Sequence, residues 1–119
     1  METQQKFEIQ IEEVKRVEEG KQIGKIVQID YREKPYRYTD IVIELANGIR
    51  LKTGFPTSIT QESKLGKLLI KFGIELKVGT KICLEDVLIG KAITFLTVNN
   101  ETERGTFARV IQESIKQVV

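Results

Sequence analysis

Three tyrosines, Tyr31, Tyr36 and Tyr38, fall within eight positions of one another, and Arg32, Lys34 and Arg37 are interleaved among them. An exposed tyrosine ring offers a π-face on which a base can stack, worth about 1–3 kcal/mol per base, while Lys and Arg follow phosphates. The same aromatic residues could instead pack against each other across a hairpin.

Other chemistries lack their residues. The chain has no histidine, which excludes Ser–His and Cys–His nucleophile pairs and histidine-ligated metal sites. Its one cysteine, Cys83, cannot build a zinc cluster, and the neighbours Ile82 and Leu84 predict a buried, unactivated thiol. Gly66-Lys67 and Gly90-Lys91 resemble the end of a phosphate-binding loop, but Gln61 and Glu85 stand where its first glycine is needed. The acidic pairs Glu12-Glu13, Glu18-Glu19 and Glu85-Asp86 are adjacent in sequence, so on a strand each pair would diverge to opposite faces. Solvated surface charge is the expectation, with no enzyme activity, no cofactor and no metal.

The 119 residues suit one domain spanning residues 1–119, with 40% hydrophobic and 30% charged residues. No apolar run nears the roughly 18 residues of a membrane span. The first residues lack a basic start followed by an apolar core, and one cysteine can form no internal disulfide; a soluble, cytoplasmic protein without a membrane partner is expected. Net charge is +2, unevenly spread: Lys and Arg number six against eight acids over residues 1–33, nine against four over 34–81, and four against five over 82–119. The middle of the chain is basic.

Periodicity supplies the elements that would hold these residues. Phe7, Ile9 and Ile11 alternate with polar residues as in a strand, although a helix over the charged residues up to Gly20 is equally compatible. Ile23, Val27, Ile29 and Tyr31 share one phase of a first strand, which assigns Tyr31 to the core. Thr39, Ile41, Ile43 and Leu45 form one face of a second strand, with Tyr38, Asp40, Val42 and Glu44 on the other. Asn47-Gly48 predicts a tight type I′ hairpin turn into a third strand carrying Ile49 and Leu51.

The period then becomes helical. Leu65, Leu68, Leu69 and Phe72 make an apolar stripe opposite Lys64, Lys67 and Lys71; Thr57, Ser58 and Thr60 are cap candidates and Gly73 is a left-handed stop. Residues 74–89 read as an irregular connector with some strand, although LEDVLI could form a helical turn. KAITFLTV, residues 91–98, predicts a strand buried on both faces, residues 99–105 a polar turn, and the remainder a strand to about Gln112.

Three meandering strands, a capped helix and a closing hairpin predict an all-β chain with one helix: an OB-fold-like, five-stranded Greek-key barrel with the helix between strands three and four. The runs SKLGKLLIKFG, LIGK and GTFARVIQESIK also resemble a pattern in small OB-fold-like proteins of phage and archaeal origin associated with replication, over roughly residues 48–116. That resemblance implies single-stranded nucleic-acid binding and carries over no individual contact.

An OB-fold binds oligonucleotides over its second and third strands and the loops joining strands one to two and four to five. The residues so placed are Arg32, Lys34, Tyr36, Arg37, Tyr38, Arg50, Lys52 and Arg104. Asp40 and Glu44 share the outward face with Tyr38 and are expected to repel phosphate. The expected function is non-enzymatic binding of single-stranded nucleic acid, DNA more than RNA, with little sequence preference, in a replication or repair role. The competing expectation is a protein-interaction or self-associating module that uses a sheet edge or the Ile-rich C-terminal tail.

Overall fold

The computed structural model describes residues 17–118, so the alternating segment at residues 7–11 lies outside the described part. Five strands and two short helices follow in the order β1 (Gly20–Arg32), β2 (Tyr38–Leu45), β3 (Arg50–Pro56), α1 (Lys64–Lys71), α2 (Leu84–Leu88), β4 (Ala92–Thr102) and β5 (Gly105–Gln117). The strands form one antiparallel sheet in the order β3-β2-β1-β4-β5. Its edge strands, β3 and β5, share no main-chain ladder, so the sheet is not closed. They are nevertheless joined by one side chain: Gln112 on β5 donates from Nε2 to Thr53 Oγ1 (2.9 Å) and to the Gly54 carbonyl (2.6 Å) on β3.

The expected alternation of β2 is present, since Thr39, Ile41, Ile43 and Leu45 all face the core. Asp40 and Val42 on its other face are buried as well, because β2 lies between β1 and β3 and long side chains cover it. Around β2 gather Ile26, Ile29, Phe55, Ile93, Phe95, Val110 and Ile115, with Leu65, Leu68 and Leu69 of α1 and Leu84 and Leu88 of α2. Each such side chain taken out of water contributes about 1.5–3 kcal/mol. The buried Thr39 and Thr53 hydroxyls are paired with Thr57 and Gln112.

The phase expected for β1 is overturned. Ile26 pairs with Ile43 and Gln28 with Val42, which leaves Val27 as the extra residue of a β-bulge. The bulge changes the parity of the strand: Ile26 and Ile29, three apart, both face the core, while Ile23 is exposed. Tyr31 shares the face of Ile29, opposite Thr39, but lies at the strand end past the packed core and is not a core residue. Its ring stands 52% exposed at the end of β1, beside Glu85 at the start of α2. Partial burial, then the Glu85 carboxylate, push its phenol up to about 12.

Turns and caps differ in detail from the sequence expectation. Among the described residues none other than glycine has positive φ, so Asn47-Gly48 is not a type I′ turn. Instead the Leu45 amide donates to the Ile49 carbonyl (2.8 Å) and the Gly48 amide to the Leu45 carbonyl (2.9 Å), Gly48 takes φ 85°, and Asn47 Oδ1 accepts from the Ile49 amide (3.0 Å). The cap of α1 is Ser63 rather than the three earlier hydroxyls; its Oγ accepts from the Gly66 amide at 3.0 Å. Thr60 Oγ1 accepts in turn from the Ser63 amide (2.9 Å). At the other end, Gly73 at φ 80° donates to Ile70 and Ile74 donates to Leu69, the paired bonds of a Schellman stop.

The connector after α1 contains no strand, and its second half forms the helix α2. Cys83 is exposed rather than buried because it caps that helix, with its Sγ 3.4 Å from Glu85 Oε2. The Asp86 backbone amide favours the thiolate, but the Glu85 and Asp86 carboxylates and desolvation outweigh it and hold the thiol above its ordinary value. β4 buries only one face, through Ile93, Phe95 and Thr97, and Leu96 is exposed. It also runs through the polar residues expected to form a turn, and the reversal happens at Glu103-Arg104.

β5 continues to Gln117. Opposite Phe95, between the pairs Leu96–Ile111 and Thr94–Lys116, residues 112–115 bulge outward. That bulge delivers Gln112 to β3, and Lys71 Nζ of α1 donates to the Glu113 carbonyl at 2.6 Å. No helix among the described residues is long and apolar enough to cross a membrane.

The turn before α1 yields a test in which two effects have opposite sign. Helix propensity alone makes Gly66→Ala stabilising by about 1 kcal/mol. A Cβ at that position would lie 1.7 Å from the Thr60 carbonyl oxygen and 2.8 Å from Ser63 Oγ. Urea denaturation of Gly66→Ala should show a loss of about 2 kcal/mol or more, as overpacking against fixed backbone costs. A midpoint equal to or above wild type would mean that the capping turn is not packed as described.

Candidate nucleic-acid interface

The loop between β1 and β2 stands on a charged clamp. Arg32 and Tyr38 are opposite one another at the last pair of the β1–β2 ladder, and Asp30 is opposite Asp40 two pairs before. Arg32 holds the Asp40 carboxylate with two parallel bonds, Nε to Oδ2 at 2.5 Å and Nη2 to Oδ1 at 2.9 Å. The Asp40 side chain is 3% exposed and that of Arg32 50%. The guanidinium also lies over the Tyr38 ring, 5.2 Å from its centroid, a cation–π contact that covers one ring face.

Glycine at position 54, opposite Asp40 on β3, makes room for this stack: a Cβ there would meet Asp40 Oδ1 at 2.7 Å and the Tyr38 ring at 3.4 Å. The base of the loop is tied again where the Thr57 amide donates to the Arg37 carbonyl (3.0 Å) and the Thr39 and Thr57 hydroxyls meet at 2.8 Å.

Above the clamp, the tip of the loop presents Lys34, Tyr36 and Arg37, all exposed, with Tyr36 at 71%. The Lys34–Pro35 peptide is cis. Neither Lys34 nor Arg37 has a carboxylate within 4 Å among the described residues. These are the groups of the cluster whose charge and π-surface are open to a ligand.

Below the clamp, the outer face of β1, β2 and β3 is a set of cross-strand ion pairs. Arg50 donates to Glu44 at 3.0 Å, and Lys52 lies 3.9 Å from Asp30. Asp40 and Glu44 therefore each carry their own cation, which removes the bare repulsion of phosphate expected from sequence. The same pairing engages three of the expected phosphate contacts, Arg32, Arg50 and Lys52.

Arg104 belongs elsewhere. The β4–β5 turn that carries it lies past Thr97, the partner of Gly20 at the start of β1, whereas Arg32 ends that strand. Thirteen residues of strand, roughly 40 Å of extended chain at 3.3 Å per residue, separate the two ends. Arg32, Lys34, Tyr36, Arg37 and Tyr38 are thus brought together, Arg50 and Lys52 adjoin them down the sheet, and Arg104 does not join them.

Gly54 and Thr57, which shape the cluster, carry no chemical signal in the sequence. In the sequence Lys64 and Lys67 mark only the polar side of a helix and Arg109 carries no signal, yet Lys64 and Arg109 line one cavity and Lys64 and Lys67 the next. Among the described residues no group of three or more His, Cys, Asp or Glu side chains is placed to hold a metal ion. The chain matches no protein-family model, and no curated protein is similar to it.

The clamp and the lower ion pair should differ in effect. Arg32→Ala strips the cation from a carboxylate that water barely reaches, so thermal unfolding should fall by several degrees, whereas Asp40→Asn leaves a half-exposed arginine and should cost about 1–2 kcal/mol. Arg50→Ala breaks an exposed pair and should change stability by less than about 1 kcal/mol. Thermal melts of the three variants in one buffer check this order; equal losses at Arg32 and Arg50 would remove the clamp from the account.

Proposed function

We propose that the chain is a non-enzymatic binder of single-stranded nucleic acid, DNA in preference to RNA, with little sequence preference, built on an OB-type five-stranded barrel. The observation that carries the reading is the loop tip: Tyr36 exposed between Lys34 and Arg37, which have no carboxylate within 4 Å among the described residues, on a base held by the Arg32–Asp40–Tyr38 clamp. A ring and two charges on a rigid support suit a stacked base with phosphates on either side, and every base offers a π-face.

The strand order supports the barrel. β1 beside both β2 and β4, with β2–β3 and β4–β5 hairpins, leaves only the β3–β5 seam to complete a closed five-stranded barrel. Gln112 spans that seam with its side chain in place of a main-chain ladder. In such a barrel the loop between the first two strands is one border of the ligand surface.

A second reading, a protein-interaction module, is favoured by one observation: among the described residues, β3 and β5 each have an edge without a ladder partner. The end of β5 is held to β4 on its inner side, where Gln117 pairs with Ile93 and the Val118 amide donates to the Ala92 carbonyl at 2.9 Å, and its outer side belongs to that open edge.

Fluorescence anisotropy of labelled single- and double-stranded oligonucleotides at two salt concentrations separates the readings. Single-strand affinity should fall with salt, the logarithmic slope being about −0.7 per phosphate neutralised. Tyr36→Ala should weaken binding by about 1–3 kcal/mol, and more than Tyr38→Ala, whose ring is already roofed by Arg32. No single-strand binding at low salt, together with a mass above the monomer, would favour the interaction module.

A further inference from the structure

The seam that leaves the sheet open is a basic groove. A cavity of about 400 Å3 lies between β3 and β5, bordered by Lys52, Gly54, Lys64, Arg109, Gln112 and Glu113. A second hollow of about 350 Å3 shares Lys64, Gln112 and Glu113 with it and continues along α1 past Lys67 and Lys71, over a floor of Phe55 and Leu68. Five cations and one carboxylate border the two. Lys64, Lys67 and Arg109 have no carboxylate within 4 Å among the described residues, and Lys71 meets only the Glu113 main-chain carbonyl.

The helix is not arranged this way for its own stability. Its first turn holds no acidic residue and begins with Lys64, where the helix dipole favours negative charge. Lys67 and Lys71 are four apart, and like charges at that spacing destabilise a helix. All three lysines lie on the side turned to the seam, opposite Leu65 and Leu69, which are buried. An anion in the groove would offset both penalties.

The groove is also continuous with the loop cluster. Gly54, which makes room for Asp40 beneath Tyr38, lines the seam with its other side, and Pro56 is the ladder partner of Tyr38. A chain leaving the Tyr36 platform across the end of β3 reaches Gly54 first and then the lysines of α1.

We propose that the β3–β5 seam and the lysine side of α1 form the phosphate track of the same single strand: the phosphodiester backbone runs from the loop tip over Gly54 and along Lys64, Lys67 and Lys71, with Arg109 and Lys52 at its side. The proposal rests on the reading of the chain as a single-strand binder. It differs from the sequence expectation, which placed the cations of the track at Arg32, Lys34, Arg37, Arg50, Lys52 and Arg104 and none on α1.

The test is the salt dependence of single-strand binding by the triple variant Lys64→Gln, Lys67→Gln, Lys71→Gln. A control, Lys25→Gln, Lys81→Gln, Lys91→Gln, loses the same charge at residues that do not line the seam. All six positions are on the surface or only half-buried, and circular dichroism and thermal melts establish that both variants are folded.

The seam variant should bind homopolymeric deoxy-oligonucleotides more weakly, with a slope shallower by about 2, three lysines at about 0.7 each. The control should keep most of the wild-type slope. An unchanged slope in the seam variant, or equal losses in the two, overturns the track while leaving single-strand binding in place. Absence of salt-dependent binding by the wild-type chain overturns the functional reading itself and the track with it.

Discussion

Everything in this sheet depends on β1 serving two hairpins at once. Gly24 is paired with Leu45 of β2 on one side and with Ile93 of β4 on the other, and Lys25 with Glu44 and Ala92, so the two halves of the sheet meet at these two residues. A side chain at Gly24 has nowhere to go: a Cβ would stand 2.6 Å from the Cγ2 of Ile43, a residue with no exposed surface, and 3.1 Å from the Glu44 carbonyl. Three residues later the Val27 bulge bends the strand further and adds twist, as bulges do. β1 can then begin against β4 and finish against β2 while both keep their apolar faces on one core.

The same bending sets the two ends of the molecule apart. The end of β1 fixes Arg32 opposite Tyr38, and the loop between them is held by a buried carboxylate rather than by apolar packing. Burying Asp40 without a partner would be very unfavourable, so the arginine and the ring above it are locked in one arrangement. A surface of this kind is prepared before any ligand arrives, which reduces the ordering cost of binding. The β5 bulge performs the corresponding task at the other edge, turning Gln112 and Glu113 out of the β4 ladder and toward β3 and α1.

Much of the fold was legible in advance, and the failures share a cause. The strict alternation of β2 and the Leu65–Leu68–Leu69 stripe of α1 are governed by neighbours in the chain, and both are present. Ile23 was misassigned because a single inserted residue reverses the phase of a strand, and nothing in residues 23–31 marks Val27 as that residue; Tyr31 keeps the phase of Ile29 but stands at the strand end, past the packed core. β4 and β5 were expected to be shorter because Asn99, Asn100 and Glu101 look like turn residues; pairing with Ala108, Phe107 and Thr106 overrides that preference. Cys83 looked apolar by its neighbours, but at the start of the helix Ile82 and Leu84 pack against the core while Cys83 between them is exposed. Of the expected binding residues, the five around the loop cluster because they are close in sequence, while Arg104 was grouped with them by analogy of topology alone.

By itself, the sequence determined the five strands and α1, the hairpin between β2 and β3, the apolar side of α1 and the basic, tyrosine-bearing loop, because each follows from periodicity or turn chemistry within about ten residues; it left open the connector that forms α2. Tertiary structure alone decided which charges are spent on one another. Arg32 with Asp40, Arg50 with Glu44 and Lys52 with Asp30 are strand-pairing outcomes, set by register across the sheet, as is the open seam that gathers Lys64, Lys67 and Arg109. Charge can be counted in a sequence, but whether a charge is available depends on what stands within about 4 Å of it, and that distance exists only once the strands have paired.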